Sequence, residues 1–212
     1  MVNVPESLPA RMFLLAYDLK KQRMGKGGAQ LGYVLRAAAL TELYLDGRLG
    51  EERRKPVPGT PGEDPYGVLA QITESRPRSW QHWVRKDTKA MVGRVRDELA
   101  RGGWIRVRTR RVMGLFPRQE IIVKDPRVVK SLWGGASSAL RGRPVAHVNS
   151  YDAAAVALAA AGELKTVLPG SDRRRHKRRI QELTARTGPA ANAARKVISQ
   201  QRAAAANAGG GG

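Results

Sequence analysis

The sequence predicts a mainly α-helical domain, with two buried central helices, amphipathic helices around them and one protruding β-hairpin. Three observations carry this expectation. Residues 31–45 and 153–168 are apolar in nearly every direction of a 3.6-residue period, so each has to be wrapped by other helices. Met91, Val95 and Leu99 recur four apart with cations on the opposite face, as on a helix lying against such a core. Trp104, Ile105, Arg106, Val107 and Arg108 alternate as a half-buried strand does.

Pro9 and the run Met12 to Leu15 begin the domain as a short helix on the same core, and residues 20–28 (KKQRMGKGG) read as a mobile basic loop. In the first central helix Leu31, Val34, Leu35, Ala38, Leu40, Leu43 and Leu45 surround a lone cation, Arg36, which needs a partner there. Gly47 is the stop for that helix. Prolines and glycines break residues 51–79 into loops around a short helix near 68–72. Residues 78–102 form one or two helices, with Trp80 and Trp83 on the apolar side, Lys86, Lys89, Arg94, Arg96 and Arg101 on the polar side, and Gly102-Gly103 at the end.

Short extended pieces at 112–115 and 121–123 complete a basic hairpin with the strand that starts at Trp104. Asp125-Pro126 starts the next helix, with proline at a first-turn position where its missing N–H costs nothing. Ser150 and Asp152 are N-cap candidates for the second apolar helix. Residues 171–187 read as one charged helix with only Ile180 and Leu183 to bury, and a last helix starts near Pro189. The helical domain is expected over 1–200, followed by an Ala/Gly-rich tail over 201–212 that cannot bury enough surface to order itself.

The formal charge of +21, from 39 Lys plus Arg against 18 Asp plus Glu, implies attraction to polyanions, either nucleic acid or an anionic membrane face. Preference for arginine over lysine, with abundant alanine and glycine, suggests a GC-rich bacterial genome and accounts for part of that charge. With no cysteine, thiol catalysis, disulfides and cysteine-ligated zinc are excluded. No apolar run approaches the roughly 20 residues that cross a bilayer, and the start MVNVPESLPA lacks a signal-peptide pattern, so a cytoplasmic, peripherally membrane-associated protein is expected. No catalytic constellation is visible. His82, His147 and His176 lack ligand spacing, and Gly25-Lys26-Gly27-Gly28 lacks the phosphate-loop pattern, so neither an enzyme nor a metal or other cofactor is expected.

Leu35, Arg36, Leu40, Glu42, Leu43, Leu45, Gly47 and Arg48 reproduce, in order and spacing, the pattern L-R-x-x-x-L-x-E-L-x-L-x-G-R. With the leucine-rich start before it and, more thinly, Trp83, the Gly103 turn and the apolar helix after Ala153, this block resembles the Golgi phosphoprotein 3 family over residues 7 to 200. The resemblance implies a helical bundle with a protruding hairpin that binds phosphatidylinositol 4-phosphate-type head groups in a basic pocket and tethers a client protein. Carried over by position, the motif arginine is Arg36 and the first cation of a later pair is Lys89, while the second falls on Val92, for which Arg94 or Arg96 can substitute. The loop tryptophan position is Gly27, leaving Arg23, Met24 and Lys26 to meet the membrane. The lipid-binding set is therefore Arg36, Lys89 and Arg94, with two roles open for Arg36: phosphate ligand, or internal salt bridge to Glu42 or another acid. Glu42 itself balances Arg36 or Arg48, or bonds a backbone group. The hairpin over 108–119 matches the family's oligomerisation segment and implies self-association.

A reading from another class is a winged-helix-like nucleic-acid-binding protein, with residues 85–101 as recognition helix, 104–123 as wing and the RRRHKRR run as a phosphate-tracking tail. It leaves the two buried helices and the L-R-x-x-x-L-x-E-L block without a role.

Overall fold

The computed structural model describes residues 2–25, 28–112, 116–142 and 144–209 of the 212-residue chain. The chain begins with α1 (Leu8–Leu15), N-capped by Ser7, whose hydroxyl accepts from the Ala10 amide at 3.3 Å. A two-residue ribbon, β1 (Tyr17–Asp18) with β2 (Arg23–Met24), leads into α2 (Gly28–Leu45). Gly47, at φ +71°, ends α2 as its sequence position predicts, and the Arg48 amide closes the turn on the Leu43 carbonyl at 2.8 Å. A second small hairpin follows, β3 (Leu49–Glu52) with β4 (Lys55–Pro58), then α3 (Val68–Thr73).

Residues 80–101 form two helices, α4 (Trp80–Arg85) and α5 (Thr88–Arg101), separated by Asp87 in a left-handed conformation at φ +51°. The main hairpin pairs β5 (Ile105–Val112) with β6 (Phe116–Val123), Ile105 opposite Val123 at its buried base. Next come α6 (Pro126–Arg141), which starts at Asp125-Pro126 as predicted and is N-capped by Asp125, and α7 (Ser150–Gly162). The cap of α7 is Asn149, not Ser150 or Asp152: its side chain accepts from the Tyr151 amide at 2.9 Å, placing Ser150 as the first helical residue. The predicted single charged helix is divided at His176 into α8 (Gly170–Arg175) and α9 (Lys177–Ala185).

The last helix, α10 (Ala190–Gly209), continues through residues expected to be an unstructured tail. Its side chains are exposed from Gln201 to Ala208, so no packing holds this part; alanine, the strongest helix former, extends the rod locally. Arg202 still ties it down, bonding Gln30 at 2.9 Å and pairing with Glu163.

The helical class is as the sequence predicts, with two small ribbons added to the one expected hairpin. The first central helix, α2, packs on α1, α4, α5, α7 and α10, while the second, α7, packs on α1, α6, α9 and α10. Small residues set these distances. A Cβ on Gly32 of α2 would lie 2.7 Å from Thr88 Cβ at the start of α5, and one on Gly162 of α7 would run into Val34 of α2.

Candidate functional site

Arg36 is 1% exposed, flanked in the chain by fully buried Leu35 and Ala37. A guanidinium so placed requires acceptors, and two short helices distant in sequence supply them. Its Nε donates to the Trp83 carbonyl at 3.0 Å, in the last turn of α4, where carbonyls lack helical partners. Its Nη2 donates to Gln71 Oε1 on α3 at 3.2 Å, and the Gln71 amide in turn donates to Asp87 at 3.4 Å. Burial lowers the Arg36 pKa to about 10, with Asp87 and Asp64 opposing that shift and Arg94 adding to it. The group therefore remains cationic at neutral pH. Neither sequence-predicted role describes its contacts: it is closed off from solvent, and no carboxylate pairs with it among the described residues.

The outer side of this corner is aromatic and cationic. Lys86 Nζ sits 5.2 Å from the Trp83 ring centroid, and His82 meets the same ring edge-on at 5.1 Å, so this histidine serves packing. Burial lowers the His82 pKa, with Arg78, Lys86 and Arg36 adding to the shift. Lys89 stands exposed in the first turn of α5, next to the Thr88 that abuts α2, and has no polar partner among the described residues. Arg94, one turn on, donates to the Tyr66 carbonyl. Val92, where the family resemblance implies a cation, packs its side chain against the core instead. Of the three, Arg36 is sealed, Lys89 is exposed and without a polar partner among the described residues, and Arg94, near enough to Arg36 to depress its pKa, is committed to a backbone carbonyl. Gly27 and Lys26 lie outside the described residues, as do residues 113–115 of the 108–119 segment assigned to self-association and the side chains of 110–118.

Glu42, six residues after Arg36 on α2, takes the last of its predicted roles. It accepts from the Leu8 amide at 2.9 Å and the Tyr151 hydroxyl at 3.0 Å. Burial raises its pKa, opposed by these two bonds. Beside it the Ser7 hydroxyl donates to Glu98 at 2.9 Å, and Tyr66 also donates to Glu98. These groups line a cavity of about 360 Å³ whose carboxylates contrast with the chain's overall charge. Gln71, Asp87, Tyr66 and Tyr151 were not marked by the sequence, since none sits in a motif or on a periodic stripe. Among the described residues no group of three His, Asp or Glu side chains could hold a metal ion, and no helix is long and apolar enough to cross a membrane.

The family model described as Golgi phosphoprotein 3 (GPP34) matches residues 8–201. No curated protein matches the chain.

Proposed function

Because the chain belongs to the Golgi phosphoprotein 3 family, we propose that it is a peripheral membrane protein, a binder and not a catalyst, that takes up anionic phospholipid head groups of the phosphatidylinositol 4-phosphate type. The observation that supports this reading is Lys89, exposed and without a partner among the described residues next to the Thr88 that abuts α2, with Lys86 in the preceding connection over the Trp83 ring. Arg36 then acts from inside: it fixes the end of α4 against α2, and its charge, screened in part by Asp87, adds to the field at the surface while Lys89 and Lys86 meet the phosphate. Tethering of a client protein and self-association through residues 108–119 belong to the same proposal. No observation favours the nucleic-acid reading.

Vesicle flotation tests this. Binding to phosphatidylcholine vesicles that contain phosphatidylinositol 4-phosphate, weakened by Lys89→Ala, is the expected result. Equal binding to neutral and anionic vesicles, or binding to neither, excludes it.

A further inference from the structure

A cavity of about 540 Å³ opens between the β1–β2 ribbon, α6 and the connection from α7 to α8, and it shares no residue with the Arg36 corner. Its wall is Trp133, 46% exposed, the larger of two large apolar side chains left open to solvent among the described residues. The indole is outside because α6 buries its other face through Val128, Val129 and Leu132, so Trp133 falls on the free edge beside Gly134, around which there is open space. Four exposed lysines surround it. Lys130 lies one turn earlier on the same helix edge. Lys20 and Lys21 are presented by a turn whose amides Asp18 Oδ1 accepts at 3.0 and 3.1 Å. Lys165 is held in place through its neighbour Thr166, whose hydroxyl donates to the Leu15 carbonyl at 2.7 Å.

Asp18 is the lone acid lining this cavity, and it reaches only Lys21, at 3.9 Å. The other three ammonium groups have no partner among the described residues. A rigid phosphate cradle is built from arginine forks and backbone amides; here there are flexible point charges on apolar stems around an amphipathic ring. A bilayer interface accepts that combination, the indole at head-group depth and the lysines on lipid phosphates.

We propose that this cavity is a second membrane-docking site, in which Trp133 enters the interfacial layer of an anionic bilayer while Lys20, Lys21, Lys130 and Lys165 engage lipid phosphates. The proposal rests on the membrane reading above but on none of its residues. It is tested by flotation of the full chain with phosphatidylcholine vesicles and with equimolar phosphatidylcholine and phosphatidylglycerol vesicles. The unmodified chain binds the mixed vesicles; Trp133→Ala weakens that binding several-fold, and the Lys130→Ala, Lys165→Ala double variant weakens it about thirtyfold.

As a readout independent of those variants, Ser131→Cys gives a unique labelling site in a chain without cysteine, and an environment-sensitive dye there shifts to the blue on mixed vesicles. Unchanged binding by both variants, with no dye shift, overturns the site and leaves the Lys89 reading standing. No binding of the unmodified chain to mixed vesicles overturns this site, while the Lys89 reading is decided separately on vesicles that contain phosphatidylinositol 4-phosphate. Variants that lose affinity for duplex DNA but keep it for vesicles assign the lysines to nucleic acid and likewise overturn the proposal.

Discussion

The Arg36 corner and the Trp133 cavity are both cationic, and they dispose of their charge in opposite ways. At the corner, the guanidiniums of Arg36 and Arg94 are committed to the Trp83 and Tyr66 carbonyls, leaving Lys86 and Lys89 at the surface. At the cavity, four lysines face one aspartate. A count of cations along the chain treats the two alike. Availability separates them: a charge already satisfied by protein braces the fold, and a charge without a partner is left for a ligand.

The largest effect that would break this contrast is expected at Arg36. Arg36→Ala removes a fully buried side chain and strands the Trp83 carbonyl, a loss on the order of 3–5 kcal/mol in denaturant unfolding. Arg36→Met, which fills the space, costs less. If Arg36→Ala leaves stability intact and abolishes vesicle binding, the residue is a ligand and the contrast fails. Its acidic counterpart on the same helix follows. Glu42→Ala leaves the Leu8 amide unpaired and costs about 1–3 kcal/mol.

Glu42→Gln keeps the acceptor and sharpens the point through pH. Burial raises the folded carboxyl above its ordinary 4.5, so the folded state holds that proton more tightly than the unfolded chain. The resulting stabilisation is full below pH 4.5 and is lost as pH rises through the higher folded value. The glutamine variant, lacking this proton, should lose less stability than the unmodified chain between acid and neutral pH, measured by denaturant midpoints.

Lys89→Ala, at an exposed site, should change stability by less than about 0.5 kcal/mol and weaken binding to anionic vesicles about fivefold. The smallest effect concerns α10. Amide exchange beyond Arg202 should show little protection, because nothing packs there, while residues up to Ile198 exchange slowly.

Much of the fold was legible from residue pattern alone. The two central helices are apolar all round, Gly47 and Asp125-Pro126 punctuate as their chemistry requires, and the Met91, Val95, Leu99 stripe faces inward. The helical tail was not legible, because compositional reasoning asks whether a segment can bury surface, whereas alanine forms helix without doing so. At the site, the sequence singled out Arg36 but not its acceptors. One is a backbone carbonyl 47 residues away, which has no side-chain signature, and the other is an ordinary glutamine. Trp133 escaped notice for a related reason: exposure depends on what covers a helix edge, and only the assembled bundle decides that.

The close approach at Gly32 limits how this chain can vary in length. An insertion within α2 between Gly32 and Arg36 would turn the arginine by about 100° per added residue, away from the Trp83 carbonyl. Relatives that keep this arrangement should therefore hold the spacing of Gly32, Arg36 and Glu42 fixed.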